Sequence, residues 1–215
     1  MSNMLITLMC DNISSWIITY IEELENEIKE LGHQVKVINN YKKITFGDLL
    51  FLLSCEKILP TSYMKFNKHN LVIHESDLPK GKGWSPVTWQ VLEGKDVIPI
   101  TLFEAAKNVD AGDIYLQEFI HLDGSELLEE IKHKQGVYTK KLVLEFIKRY
   151  PNIKGKPQQG ESSFYTKRGP KDSKLDINKT IKEQFNLLRV VDNERYPAYF
   201  MFNNKKYIVR IYKED

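Results

Sequence analysis

The 215-residue chain reads as an α/β protein built on a mostly parallel sheet, with a small helix-plus-hairpin extension towards its C-terminal end. Three observations predict this. Short apolar runs alternate with stretches of helical spacing from Leu5 to Pro151. The first such unit has β-α-β order, which requires parallel pairing with right-handed crossovers. A polar, turn-rich stretch from Lys154 to Gly160 then marks a change of pattern, as expected of a surface linker. The expected organisation is therefore a main body over 1–153 and a linker with a small packed extension over 154–215.

Each element follows from local chemistry. Leu5 to Cys10 is a short apolar run suited to a buried strand. Asp11 or Ser14 can cap a helix in which Ile17, Ile21, Leu24, Ile28 and Leu31 recur at helical spacing. Gly32 supplies its stop, because glycine enters the left-handed region without a Cβ clash. Val35–Ile38 and Leu49–Leu53 are the next strands, and Asn70–His74 follows after the segment Glu56–Pro60. Ser85 and Pro86 open a short helix as cap and first residue, and Gly94 ends it. Val97–Phe103 is a strand with Pro99 expected at an edge or bulge, and Ile114–Ile120 returns as its partner. Asp123 with Glu126 has the spacing of a capping box for a helix running through Leu127, Ile131, Leu142, Phe146 and Ile147, stopped by Pro151. Beyond the linker come a loop with Tyr165, Arg168 and Pro170, and a helix over 178–191. A hairpin ends the series, with strands Tyr199–Phe202 and Tyr207–Ile211 turned by Asn203-Asn204.

Composition narrows the class. Hydrophobic residues at 42% and charged residues at 28% are ordinary for a globular protein. A net charge of +2 does not argue for nucleic acid or membrane as partner. No apolar run approaches the roughly 20 residues of a spanning helix. The run opening at Met1 has no basic region before it, so no signal peptide is read and a cytoplasmic protein is expected. Cys10 and Cys55 make no disulfide framework and read as buried, reduced thiols. No zinc-ligand set, P-loop or Gly-x-Gly-x-x-Gly fingerprint is present, so neither a metal nor a nicotinamide cofactor is expected.

The chemistry concentrates after the fourth strand. A parallel sheet binds ligands outside the carboxyl ends of its strands, and His74 closes such a strand. A lone histidine there is ordinarily a packed side chain, but His74 has company. Leu78-Pro79 with Gly81 and Gly83 rigidifies the adjoining turn, and the small residues leave room for a ligand. The Asp110-Ala-Gly-Asp113 turn can fold over the same sheet end. A carboxylate there can fix the imidazole tautomer and favour its protonated form, equipment for attack of an amine on an acyl group. The residues themselves do not choose between Asp110 and Asp113.

His74-Glu-Ser-Asp-Leu-Pro-Lys-Gly-Lys-Gly-Trp-Ser-Pro86, followed at this distance by Asp110-Ala-Gly-Asp113, resembles the signature of the 10-formyltetrahydrofolate-dependent formyltransferases. The likeness is greatest to the sugar-nucleotide N-formyltransferases of the pseudaminic-acid type. Lys57-Ile-Leu-Pro60 is similar to the family segment beside the folate ring, and Ser163–Arg168, Leu175-Asp176, Leu188-Arg189 and Asp192 to the family's tail. The resemblance implies a Rossmann-like catalytic domain and 10-formyltetrahydrofolate as formyl donor. It implies His74 and Asp110 as catalytic residues, with the aspartate first in Asp-x-Gly-Asp. The donor would lie against Lys57, Ile58, Leu59 and Pro60, its edge on the backbone of Lys107, Asn108, Val109 and Asp110. The acceptor would be an amino-sugar nucleotide, UDP-linked. Its diphosphate and base need positive charge and an aromatic surface, which Lys80, Lys82, Trp84, Tyr165, Lys167 and Arg168 offer.

One position departs from the family. Most members carry asparagine two residues before the histidine, where it helps to stabilise the oxyanion; here that residue is Val72. Asn70, one alternation back, lies on the same strand face about 6–7 Å further along and is a candidate substitute, a backbone N–H or protonated His74 being the others; with none of them the reaction would be slow. Two other readings are glycinamide ribonucleotide or methionyl-tRNA as acceptor, and a silent folate- or nucleotide-binding relative. The tRNA version is disfavoured by the short, weakly basic segment after Ile153.

Overall fold

The computed structural model describes residues 3–214; Met1, where the N-terminal run begins, Ser2 and Asp215 lie outside the described residues. In chain order the elements begin with β1 (Leu5–Met9), α1 (Ile18–Glu30), β2 (Gln34–Ile38), β3 (Gly47–Leu52), α2 (Thr61–Met64) and β4 (Asn67–His74). They continue with β5 (Lys82–Gly83), α3 (Pro86–Leu92), β6 (Val97–Glu104), β7 (Ile114–His121) and α4 (Leu128–Arg149). The tail holds β8 (Phe164–Tyr165), α5 (Phe185–Arg189), β9 (Ala198–Phe202) and β10 (Lys205–Val209). The main sheet runs β2-β1-β3-β4-β6-β7. Its first four strands are parallel, and β6 and β7 add antiparallel to β4 and to each other.

The sheet is covered differently on its two faces. Leu49, Phe51, Leu53, Leu71 and Ile73 pack against α1, α3 and α4 in the main core. Leu50, Leu52 and Val72 face a smaller cluster closed by Leu59, Tyr63, Met64 and Ala105 from loops and the short α2. Because paired residues of adjacent strands share a face, the pairs Leu52↔Val72 and Val72↔Phe103 set His74 and its partner Thr101 on the loop-covered side.

Several local expectations change. Asp11 does not cap α1; its carboxylate accepts from the backbone N–H groups of Glu56 (2.8 Å) and Lys57 (2.9 Å). Residues 12–15 form a turn in which Ser14 N–H donates to Asn12 Oδ1, so α1 begins only at Ile18. Ser85 precedes α3, with Pro86 at the first position, but makes no capping bond and holds a left-handed φ of 50°. Pro99 sits within β6, in the half that extends beyond β4, whose pairing reaches only Thr101. Asp123 and Glu126 do not open α4. Glu126 accepts from the N–H groups of Asp123 and Gly124, and the helix begins at Leu128 with Glu130 accepting from Leu127 N–H. The helix expected over 178–191 shrinks to a 3-10 turn and α5. The side chains of Asp176, Thr180, Glu183 and Gln184 bond to local backbone groups instead, which is how such side chains compete with a helix. The Asn203-Asn204 turn does form, both residues at positive φ (45° and 58°), as a type I′ hairpin requires.

The tail is anchored by a buried ion pair. Arg189 is 1% exposed and Glu126 3%. Arg189 Nη2 donates to Glu126 Oε2 at 3.0 Å and Nε to the Glu126 carbonyl at 2.9 Å. Burial works to raise the Glu126 carboxyl, but hydrogen bonds from Lys134 and backbone N–H groups outweigh it and hold the group below the usual range. Glu126 also pairs with Lys134, whereas Arg189 has Glu126 as its carboxylate partner; Glu126→Gln therefore leaves the buried guanidinium without a counter-charge and should cost about 3–5 kcal/mol. Urea unfolding of the two proteins checks this; a loss under about 1 kcal/mol, the worth of an exposed pair, would remove the anchor.

Candidate active site

His74 ends β4 and is 8% exposed. Its Nε2 lies 2.8 Å from the carbonyl of Gly81. A carbonyl only accepts, so Nε2 carries the proton and the neutral ring keeps its lone pair at Nδ1. Asp110 Oδ2 stands 3.9 Å from the same Nε2, too far for a hydrogen bond. The same oxygen accepts from Gly83 N–H at 3.0 Å. Asp110 itself holds a left-handed φ of 50°, which aspartate tolerates better than most residues.

Two glycines permit this arrangement. At Gly83 (φ 97°) a Cβ would fall 2.5 Å from the Tyr165 carbonyl, and at Gly112 one would meet the Glu104 carbonyl at 1.8 Å. The first lets β5 pair with β8 while its N–H holds Asp110. The second lets the Asp110 turn close against the end of β6.

The segment expected to be a surface linker does more than connect. Lys156 pairs with Ile114 through both backbone groups at 2.8 Å. Gln158 Nε2 donates to the carbonyls of Asp110 (3.0 Å) and Gly112 (2.9 Å), and Ser163 Oγ accepts from Gly81 N–H at 2.9 Å. The tail thus holds the turn that carries Asp110 and the residue that fixes His74. Gln158 does not stand out in the sequence, since an isolated polar residue in a turn-rich stretch carries no periodic signal, and Ser163 enters only as the first residue of the tail segment Ser163–Arg168.

A cavity of about 580 Å3 opens beside His74 and Asp110. Of the residues expected around the donor, Lys57, Ile58, Leu59, Asn108 and Val109 line it, joined by Leu52, Met64, Val72, Phe103 and Ala105. Pro60 and the exposed Lys107 are not part of its wall. Asn70 is not brought to the site. Its Nδ2 donates to the Met64 carbonyl at 2.9 Å and its side chain does not reach the cavity, so it is not placed for the oxyanion role expected of it. Asp113 is exposed, and the cavity does not reach it. Cys55 lines the cavity; burial pushes its thiol up to about 12, which leaves it a poor nucleophile at neutral pH.

The residues expected around the acceptor are mostly elsewhere. Only Trp84 lines the cavity, with Lys167 Nζ 4.2 Å above its ring. Lys82 is buried in β5 with its ammonium over Phe164, and Lys80 is exposed on the turn before it. Tyr165 stacks on Trp89 and donates to Glu93; burial, then the Glu93 carboxylate, pushes its phenol up to about 12. Arg168 donates to the Asp172 carbonyl, and burial holds its guanidinium below the ordinary value. These contacts join the tail to α3 and the β5 turn; they do not gather positive charge at the cavity. Among the described residues no group of metal-ligating side chains forms, and no helix is long and apolar enough to cross a membrane.

An imidazole and a carboxylate thus face one cavity at the end of the parallel strands, beside a largely apolar wall. Residues 29–147 match the formyl transferase family, and the chain belongs to that family. It is 28% identical over 187 residues to the methionyl-tRNA formyltransferase of Malacoplasma penetrans, covering 84% of this chain and 56% of that one. The chain spans about half the length of the curated relatives it matches. The structure of a methionyl-tRNA formyltransferase from Clostridium thermocellum superposes with a TM-score of 0.83 at 20% identity, covering 99% of this chain and 94% of that chain. A 4-N formyltransferase from Francisella tularensis gives 0.74 at 18% identity, covering 99% and 98%.

Proposed function

We propose that this protein transfers the formyl group of 10-formyltetrahydrofolate to the amine of a nucleotide-linked amino sugar, UDP-linked and of the pseudaminic-acid type. The observation that carries the reading is the His74–Asp110 pair, 3.9 Å apart at the wall of the 580 Å3 cavity. In the reaction the amine nitrogen forms a bond to the formyl carbon, the carbon–N10 bond breaks, and one proton passes from the amine to N10. Neutral His74 takes that proton at Nδ1, Asp110 stabilises the imidazolium, and His74 then supplies a proton to the departing folate nitrogen. The Nε2–H group, held between Gly81 and Asp110, stays in place throughout. Val72 brings no amide to the cavity, so the oxyanion is met by the imidazolium and by backbone N–H groups.

The donor side supports the reading. Ile58, Leu59, Val72, Phe103, Ala105 and Val109 form an apolar wall of the kind a flat heteroaromatic ring needs, with few polar contacts. Leu59 is packed too tightly to enlarge, at 4% exposed, whereas Ile58 is 67% exposed. Ile58→Trp should therefore narrow the slot without disturbing the core, raising the folate KM about tenfold, or roughly 1.4 kcal/mol. The acceptor KM should stay within about twofold. Equal effects on both would place the donor elsewhere.

A second reading takes methionyl-tRNA as acceptor, favoured by the name of the Malacoplasma relative. Competition decides between them. With 10-formyltetrahydrofolate limiting, UDP-linked amino sugars and methionyl-tRNA are offered together, and formylated product is counted. Product on the sugar supports the first reading, and product confined to the tRNA replaces it with the second.

A further inference from the structure

The cavity straddles the end of the sheet. Leu52, Val72 and Phe103 line it from the loop-covered face; Leu53, Ile73, Ile17 and Leu128 line it from the face beneath α1 and α4. His74 belongs to the loop side. Glu75, the next residue, turns to the other, where its Oε1 accepts from Gln135 Nε2 of α4 at 3.1 Å. The alternation of side chains between two adjacent residues therefore puts His74 on one side of the sheet edge and a carboxylate on the other, within one cavity.

The two sides differ in chemistry. The loop side is carbon-lined apart from His74, Asp110 and backbone. The helix side carries Glu75, Thr88, Lys132, Gln135 and Thr139, with Trp16 at its margin. A polyhydroxylated ring needs hydrogen-bonding partners in fixed positions, and a carboxylate, which only accepts, selects hydroxyl or amine donors. Among the described residues nothing donates to Glu75 Oε2, while Gln135 holds Oε1 and so orients the group. We infer that the helix-side lobe is the acceptor subsite and that Glu75, oriented by Gln135, is its specificity-determining residue, accepting a hydrogen bond from the sugar hydroxyl beside the reacting amine. Lys132 stands three residues before Gln135 on the same wall. Its ammonium pairs with the exposed Glu129 at 2.8 Å, a weak surface contact that a phosphate can replace.

This placement rests on the sugar-nucleotide reading and replaces the Lys80–Lys82 turn as the acceptor site. It also explains how both substrates reach His74: the donor arrives over one sheet face, the acceptor amine across the edge from the other.

Steady-state kinetics test it on the UDP-linked amino sugar that the wild type turns over fastest, with Glu75→Ala, Glu75→Gln and Gln135→Ala. The Glu75 carboxylate bonds to Gln135, and truncating it to alanine removes that bond; the backbone carbonyl of Glu75 still accepts from Gln90. A hydrogen bond to a charged group in a partly buried site is worth about ten- to a hundredfold in affinity. Glu75→Ala should raise the acceptor KM by that factor, Glu75→Gln by less, and neither should move the folate KM, which also reports intact folding. An acceptor lacking the hydroxyl beside the amine should bind wild type and Glu75→Ala alike. An unchanged acceptor KM in an active Glu75→Ala enzyme would overturn the subsite while leaving the proposed activity standing. Absence of wild-type turnover on every amino-sugar nucleotide would overturn both.

Discussion

Replacing His74 with alanine should lower kcat by about 10²–10⁴-fold, the usual worth of a positioned acid–base group. The fall should appear equally in kcat/KM, because the stabilisation removed belongs to the transition state. Folate binding, measured by fluorescence titration, should survive, since the apolar wall from Ile58 to Val109 does not depend on the imidazole. The fold should survive as well: the His74 side chain makes one hydrogen bond, to the Gly81 carbonyl, and Gly81 is also held by Ser163. Turnover within about threefold of wild type would take His74 out of the reaction.

Asp110→Asn is the second large effect. Asparagine keeps an oxygen to accept from Gly83 N–H, so the turn should hold its shape. What disappears is the negative charge 3.9 Å from Nε2, and with it the stabilisation of the imidazolium. A loss of roughly 10²-fold or more in kcat is expected, in the range seen when one electrostatic contact to a developing charge is removed. Both substrate KM values should change little. Asp113→Asn should be silent, because that side chain is exposed and outside the cavity. If Asp113→Asn abolishes turnover while Asp110→Asn does not, the carboxylate that serves His74 is the other one.

Much of this site follows from local rules, and the parts that do not have a common cause. The parallel core and the placement of His74 at a strand end come directly from apolar runs and the crossover rule. The partnership with Asp110 depends on how the 105–113 loop returns. β6 runs antiparallel to β4, so the loop starts level with Asn70, where Ala105 N–H donates to the Asn70 carbonyl. It must then travel back over the loop-covered face to reach His74, and no local pattern encodes that path. Strand alternation puts Asn70 on the His74 face, yet α2 lies beneath it and its Met64 carbonyl takes the amide. The tail has the composition of a charged aromatic surface for a ligand; most of those aromatics and cations instead pair with one another and with α3. Glu75 carries no signal of its own, because its role needs α4. A sequence signal for that wall does exist: Leu128, Lys132, Gln135 and Thr139 recur at helical spacing beside the apolar stripe of α4 and interrupt it with polar groups.

The most direct test of the central claim follows a labelled carbon. Wild type is incubated with tetrahydrofolate carrying a 13C-formyl group at N10 and with UDP-linked amino sugars, and the product is read by carbon-13 and proton NMR. A formamide resonance bonded to the sugar amine, appearing with wild type and lost in His74→Ala, is the expected result. Label that stays on the folate with wild type, or that reaches the amine at the same rate without His74, would contradict the account.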